Sequence, residues 1–210
     1  MSRAAFDVSG KDIFELIDSY PYPLRDHCRR VAVCASIIAE YAHDNWNLYG
    51  KLPPGVTLSA VAHLSGACHD VGKLPSPGPL LGEEDYRAHP AMGESLLREN
   101  RRDLFDNETL ALIVMDVTRH HHERPDSRGF PDGLPRKDIS LLAGVCAMAN
   151  ELDHLFGQPG EDRELDRGIK RYILDLEGVF FTEIAVSCFD RAWPRLRKQY
   201  AKWGFANDSP

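Results

Sequence analysis

Residues 24–43 read LRDHCRRVAVCASIIAEYAH, and the spacing of their apolar side chains indicates the fold class. Val31, Cys34, Ile38 and Tyr41 recur at intervals of three and four residues, which is the period of an amphipathic helix. His27 falls in the first turns of this helix. No part of the chain keeps the alternating pattern of a β-strand, so the sequence predicts an all-α protein.

The same period predicts the remaining helices. We expect them over residues 58–70, from His89-Pro90 to about residue 100, and over residues 108–121, 139–156, 162–177 and 181–202. Proline and glycine predict loops over residues 45–55, 75–79 and 124–136.

Three helix ends carry recognisable terminal residues. Thr57 is the expected N-cap of the helix over residues 58–70, and Gly72 would close that helix in the left-handed conformation. Pro90 would lie in a first helical turn, where proline is tolerated. Asp138 is expected to cap the long apolar helix that follows it.

The composition is that of a globular chain with no general affinity for polyanions. A net charge of -7 over 210 residues argues against nucleic-acid polymers and anionic membranes as partners. The apolar fraction of 43% and the chain length favour a single domain over residues 1–210. A basic cluster near the C-terminus is interpreted as the solvated face of the last helix: Arg191, Arg195, Arg197, Lys198 and Lys202.

The cysteines and the N-terminus predict a cytoplasmic location. Five scattered cysteines without a Cys-x-x-Cys pair are typical of reduced, buried thiols. The N-terminus lacks the basic and apolar pattern of a signal peptide, and the longest apolar run, residues 141–149, is too short to span a bilayer.

Two separate stretches are rich in ligands for hard metals. His69-Asp70 combines an imidazole with a carboxylate that can bridge two cations, and His121-His122 adds two imidazoles. Such a set is typical of a site for iron, manganese or a similar divalent metal acting on phosphate. His120 is expected to point away from the site because neighbouring helical residues diverge by about 100°. No role is assigned to the isolated His43, His63 and His154.

The order of these residues resembles the HD-GYP family. The resemblance covers residues 24–157 and rests on His27, His69-Asp70, Gly72-Lys73, His89-Pro90, Gly93, His121-His122-Glu123, Asp126, Gly129, Phe130 and Pro131. It implies an all-α HD-domain helical bundle with a metal site in its core. It also implies metal-dependent phosphohydrolase activity on the bacterial second messenger cyclic di-GMP.

The resemblance also implies two divalent metal ions, iron or manganese. The first ion would be held by His27, His69 and Asp70, and the second by His89, His121 and His122, with Asp70 as the bridge. Asp70 and Lys73 would be the catalytic residues, with the Lys73 ammonium neutralising a phosphate oxygen. The alternative for Lys73 is a lysine that faces the helix dipole.

Further residues are expected around these ligands. Arg124 and Arg128 are expected to contact the substrate. Glu123, Asp126 and Asp153 are expected to orient the ligands from behind. For Glu123 and Asp126, a role as loop anchors is an equal alternative.

The chain departs from the family pattern at several positions. Phe130 replaces the tyrosine of Gly-Tyr-Pro, Ser127 replaces the first glycine of Asp-Gly-x-Gly, and Pro23 stands where a third metal would need a glutamate. Asn150 takes the place of the carboxylate that closes the first metal site, where an amide oxygen would hold a cation more weakly. The segment over residues 74–88 is shorter than in the family and lacks its basic part. Another phosphorylated substrate is therefore an alternative to cyclic di-GMP.

The leading prediction is therefore a phosphodiesterase that hydrolyses a cyclic dinucleotide, or a related phosphoester, with a metal-activated water. The alternative is a degenerate HD-GYP-like domain without turnover that acts as a ligand-binding or protein-interaction module in signalling. The expected partner is a small phosphorylated nucleotide. A signalling protein partner and a homodimer are left open.

Overall fold

Helix α2 (Leu24–Ala39) packs against α3 (Leu58–Cys68), α7 (Leu141–Phe156) and α9 (Glu183–Lys202). The computed structural model describes residues 12–42, 52–74, 82–156 and 163–205. This part of the chain also contains α1 (Ile13–Asp18), α4 (Glu83–Glu99), α5 (Arg101–Leu104), α6 (Glu108–His120) and α8 (Arg163–Asp175), with 3-10 turns at Val71–Lys73 and Arg136–Asp138.

The predicted all-α class is confirmed. Within the described ranges the only extended pairing is an isolated bridge between Glu177 and Phe181. The short helices α1 and α5 were not predicted from the sequence, because six and four residues are too few to establish a period. The predicted loop over residues 75–79, most of the loop over residues 45–55, and His43 lie outside the described residues.

Two apolar clusters form the core. The larger cluster joins α2, α3 and α6 to the three C-terminal helices and includes Ile38, Met148 and Phe189. The smaller cluster joins α1 to the other faces of α2, α3 and α6 and includes Leu16 and Val114. Each such side chain stabilises the fold by about 1.5–3 kcal/mol when fully buried. The five cysteines are buried and free, as predicted.

The structure confirms one predicted helix cap and corrects another. The Thr57 hydroxyl accepts a hydrogen bond from the backbone N–H of Ala60, as expected for an N-cap. Asp138 does not cap α7, because it ends a 3-10 turn and the extended Ile139 delays the start of the helix. The capping side chain is Ser140, whose hydroxyl accepts from the N–H of Ala143 at 3.1 Å.

The prediction for Gly72 was wrong in its reason. Gly72 is not left-handed but lies in the 3-10 turn after α3. A Cβ atom there would lie 1.9 Å from the carbonyl oxygen of His89 and 2.6 Å from the backbone nitrogen of Gly93. Glycine is therefore required for the close approach of α4, which carries His89.

The predicted start of α4 was also wrong. The helix begins at Glu83, so Pro90 lies inside it rather than in its first turn. Pro90 has no N–H to donate to the carbonyl of Tyr86, one turn earlier. The Nδ1 of His89 bonds that carbonyl instead, at 2.5 Å. The interior proline is thereby accommodated, and it leaves an acceptor that fixes the His89 ring.

No helix in the described part of the chain combines the length and the apolar character needed to cross a membrane.

Candidate metal centre

The first group of candidate ligands comes from two helices that pack side by side. His27 lies in the second turn of α2, and His69 and Asp70 follow directly after α3. One ligand atom from each of the three residues lies within 4.8 Å of the others. His69 and Asp70 are completely buried.

The second group lies on the other side of Asp70. His89 comes from α4, and His121 and His122 follow the end of α6. These three residues also bring one ligand atom each within 4.8 Å of the others. The ring of His122 stacks on Phe130 with centroids 4.6 Å apart, which accounts for an aromatic ring at that position without a hydroxyl.

Asp70 lies between the two groups and turns one oxygen toward each. Its Oδ2 is 3.5 Å from Nε2 of His27 and 3.4 Å from Nε2 of His69. Its Oδ1 is 3.0 Å from Nε2 of His89 and 3.7 Å from Nε2 of His121. This is the arrangement expected of a carboxylate that bridges two cations.

Hydrogen bonds on the far side of four imidazoles fix which nitrogen carries the proton. The Nδ1 atoms of His69, His89 and His121 face the carbonyl oxygens of Gly66, Tyr86 and Thr118 at 2.7, 2.5 and 2.9 Å. A carbonyl can only accept, so each Nδ1 donates and each neutral ring turns an unprotonated Nε2 toward Asp70. The Nδ1 of His27 donates in the same way to Asp153 at 2.7 Å.

The unprotonated nitrogens face each other at short range. Nε2 of His27 is 3.3 Å from Nε2 of His69, and Nε2 of His89 is 3.3 Å from Nε2 of His121. Oδ1 of Asp70 is buried and accepts no hydrogen bond. Buried lone pairs and a carboxylate that converge in this way repel one another unless a cation lies between them. The residues present therefore fit a divalent metal centre.

The protonation equilibria support neutral imidazoles beside an ionised carboxylate. Burial lowers the pKa of His69 to about 4, and burial also lowers the pKa of His121 and His122 well below 6.5. Burial alone would raise the pKa of Asp70, but the adjacent imidazoles and the Lys73 ammonium hold it well below its ordinary value. Neutral imidazoles and a carboxylate are the protonation states that bind metal.

Lys73 contacts the bridging carboxylate directly. Its Nζ donates to Oδ2 of Asp70 at 2.5 Å and lies 5.8 Å from the ring centroid of Tyr86. The side chain is 22% exposed, so the ammonium lies at the boundary between the buried carboxylate and solvent. This contact brings Lys73 next to the candidate ligands.

A cavity of about 290 Å³ opens beside the second group of ligands. Asn150 lines it together with His121 and His122, and its buried Oδ1 has no hydrogen-bond partner. Arg124 and Arg128, the predicted substrate contacts, also line the cavity. Two arginines predicted from the sequence therefore border the cavity next to the candidate ligands.

The three predicted orienting carboxylates behave differently. Asp153 holds His27 and also accepts from Arg30, which donates through Nε at 2.6 Å and through a terminal nitrogen at 2.9 Å. The Glu123 carboxylate accepts only from the backbone N–H groups of residues 132–134, at 2.7–3.1 Å. Asp126 accepts from Arg124 and from the backbone of Arg128. Glu123 and Asp126 therefore make the contacts of loop anchors, whereas Asp153 lies behind a ligand.

Of the histidines that were not predicted as ligands, two lie away from the candidate metal centre and one lies beside it. His120 bonds Asp116 at 2.8 Å and Asp132 at 3.0 Å, so it points away from the ligands, as predicted. His63 lines a separate apolar cavity. The sequence analysis gave His154 no role, but its ring stacks on that of His27 with centroids 5.0 Å apart and lines the cavity beside Asn150.

Local spacing could have identified two of the missed residues. His154 follows Asn150 by four positions on α7, and Tyr86 precedes His89 by three on α4, so each shares a helix face with a predicted ligand. Phe180 and Phe181 also line the cavity. They come from the connection between α8 and α9, and no spacing rule links them to the site.

Comparison with known proteins places this geometry in a family. The HD domain family matches residues 24–155. A cyclic di-GMP phosphodiesterase of Pseudomonas aeruginosa is 36% identical over 140 residues, which are 65% of this chain and 30% of that protein. A cyclic di-GMP phosphodiesterase response regulator of Xanthomonas campestris is 26% identical over 71% of this chain and 41% of its own length.

A 3'3'-cGAMP-specific phosphodiesterase of Vibrio cholerae is 25% identical over 60% of this chain and 25% of that protein. The chain thus spans well under half the length of these curated relatives. Among solved structures, an HDG"Y"P protein from Bdellovibrio bacteriovorus superposes with a TM-score of 0.57 at 20% identity, over 85% of this chain and 56% of that one. These matches confirm the HD-GYP resemblance inferred from the sequence, and the chain belongs to the HD domain family.

Proposed function

We propose that the chain is a metal-dependent phosphohydrolase. The observation that carries this proposal is the convergence of four unprotonated Nε2 atoms on the two oxygens of Asp70. The outer nitrogens of these rings donate to backbone carbonyls and to Asp153, which turns the inner nitrogens toward Asp70 and toward one another. The relatives named as phosphodiesterases supply the reaction class.

We assign one ion to His27, His69 and Asp70, and a second ion to His89, His121 and His122. When bound, such ions would supply Lewis acidity to a phosphate oxygen and lower the pKa of a water toward neutrality. The chain's own residues have three further tasks: to hold the ligand tautomers, to balance charge, and to bind the anionic substrate.

The tautomers are held by backbone carbonyls and by Asp153, as described above. The Lys73 ammonium balances part of the charge on Asp70, and its partial exposure leaves it able to meet a phosphate oxygen. Arg124 and Arg128 border the cavity and would attract an anionic ligand into it. Iron or manganese suits this set of imidazole and carboxylate ligands.

We further propose a cyclic dinucleotide as the substrate. The relatives' names support this class, since they include enzymes for cyclic di-GMP and for 3'3'-cGAMP. The choice between these two, or a related phosphoester, is left to the experiment below. The same assignment makes a small phosphorylated nucleotide the principal partner.

A second candidate is a binding module that no longer turns over its ligand. The observation that favours it is Asn150, whose unbonded amide oxygen stands where the family has a carboxylate. An amide lacks the negative charge that strengthens the hold on a divalent ion at short range. The two candidates therefore differ in whether a filled site hydrolyses anything.

The test loads wild-type protein and Asn150→Asp anaerobically with iron or manganese, measures the metal content, and follows both cyclic dinucleotides by chromatography. We expect turnover by the wild type that stops on chelation, and a higher metal affinity in Asn150→Asp. No hydrolysis by either protein at full metal occupancy would favour the binding module. Less than one metal per chain after loading would overturn the metal centre itself.

A further inference from the structure

The connection between α8 and α9 presents an aromatic ring to the cavity beside the metal centre. Phe180 is 37% exposed, whereas the adjacent Phe181 is 3% exposed and belongs to the core. Both residues line the same cavity as His121, His122 and Asn150. Residues 176–182 lie outside residues 24–155, which match the HD domain.

The exposed ring is held in place by the backbone around it. The N–H of Phe180 donates to the carbonyl of Leu176 at 2.9 Å, and the N–H of Gly178 donates to the carbonyl of Phe181 at 2.8 Å. Gly178 has a φ of +74°, which a side chain would disfavour. The buried Phe181 anchors this turn, so contacts within the protein hold the backbone that carries Phe180.

The Arg124 guanidinium lies over one face of this ring and places a positive charge beside it. Its guanidinium carbon lies 3.6 Å from the Phe180 centroid, and Asp126 holds the same guanidinium through a hydrogen bond of 2.5 Å. Aromatic rings and guanidinium planes are the groups on which proteins stack nucleobases. A cavity of about 290 Å³ is at the small end for ligand sites, so it suits one nucleotide unit.

We propose that Phe180, backed by Arg124, is the base-stacking wall of the site and binds the purine of one nucleotide while its phosphate faces the metal centre. This inference rests on the proposed function and adds the residue that recognises the base. Stacking is tolerant of base identity, so the wall should accept guanine and adenine alike.

The test compares the binding of guanosine 5'-monophosphate and ribose 5-phosphate, which share a sugar and a phosphate but differ in the base. Calorimetry is run on wild type, Phe180→Ala and Phe180→Tyr, with and without manganese. We expect Phe180→Ala to weaken guanosine monophosphate binding by about 5- to 150-fold and to leave ribose phosphate binding unchanged. Phe180→Tyr should retain wild-type binding. Phe180→Ala should lower the affinity for adenosine monophosphate by the same factor as the affinity for guanosine monophosphate.

Val179→Ala is the matched control, because Val179 is an exposed neighbour on the same turn that does not line the cavity. Equal losses for both ligands in Phe180→Ala, an effect of the same size in Val179→Ala, or no nucleotide binding by the wild type would overturn the inference. Base-dependent binding that Phe180→Ala abolishes, in a protein that hydrolyses nothing, would support the wall and refute only the proposed hydrolase.

Discussion

At the scale of single residues, the two groups of ligands depend on the geometry of Asp70. Its two oxygens face different groups, with Oδ2 toward His27 and His69 and Oδ1 toward His89 and His121. Each of these four histidines faces only one of the two oxygens. Loss of the carboxylate should therefore affect both metal positions, and loss of one histidine should affect one.

We expect Asp70→Ala to lose metal at both positions and His89→Ala to keep the first. The measurement is metal content per chain after anaerobic loading and desalting. Circular dichroism serves as the control for folding, since both side chains are completely buried. Equal metal loss in two well-folded variants would contradict the bridge and leave Asp70 as a structural acid.

Ser127 is a residue whose backbone conformation conflicts with its side chain. It has a φ of 58° in an exposed turn, where its N–H donates to the carbonyl of Arg124 at 2.9 Å. The left-handed conformation costs a non-glycine residue about 1–2 kcal/mol. Glycine avoids this penalty, although part of the gain is lost because glycine makes the unfolded chain more flexible.

Ser127→Gly should therefore raise the free energy of unfolding by about 0.5–1 kcal/mol, or the Tm by roughly 1–4 °C. Ser127→Ala is the control, because it removes the hydroxyl and keeps the strained backbone. Calorimetry at neutral pH gives both values. If alanine stabilises as much as glycine, the hydroxyl and not the backbone is responsible.

At the scale of secondary structure, the second group of ligands depends on how closely α4 approaches the turn after α3. Gly72 allows this approach, since a Cβ atom would collide with the backbone of His89 and of Gly93. That backbone belongs to the helix that carries His89, so it cannot move without moving the ligand. Gly82, at the N-terminus of the same helix, would place a Cβ atom in open space, with no other atom within 4 Å.

We expect Gly72→Ala to destabilise the fold by about 1–3 kcal/mol and to lower metal affinity at the second position more than at the first. Gly82→Ala should leave metal affinity at both positions unchanged, although it removes a glycine from the N-cap of the helix. Urea unfolding and metal titration measure the two effects. Wild-type metal binding by a destabilised Gly72→Ala would mean that α4 shifts without carrying His89 away.

At the scale of the whole molecule, burial of several neutral imidazoles couples folding to pH. His69 has a pKa of about 4 in the folded chain and an ordinary value of 6.5 in the unfolded one. Below pH 6.5 the unfolded chain therefore binds a proton that the folded chain refuses, so acid favours unfolding. His121 and His122 act in the same direction.

The chelated protein should thus lose stability as pH falls from 6.5 toward 4, by about 3 kcal/mol for His69 alone. His120 acts in the opposite direction: burial lowers its pKa, but hydrogen bonds to Asp116 and Asp132 raise it overall. His120→Asn should therefore steepen the fall. Urea unfolding at several pH values measures the slope, and a flat profile between pH 7 and 5 would contradict the neutral imidazoles.

The sequence by itself determined the helical class, most helix bounds and the order of the candidate ligands. Helical periodicity is a local property, and the ligands occur in a recognisable order, so both are readable from the residue types alone. Asn150 was located through the family resemblance, and the structure places it as a buried residue of α7.

Only the tertiary structure decided the rest. Glycine is required at position 72 because α4 packs against it, and the ring of His89 accommodates Pro90. Phe180 lines the cavity although it comes from a connection far along the chain. Each of these facts depends on a contact between segments that are distant in sequence or on a side chain that replaces a backbone hydrogen bond. A pattern of residue types carries no information about such contacts, since packing and not local preference selects them.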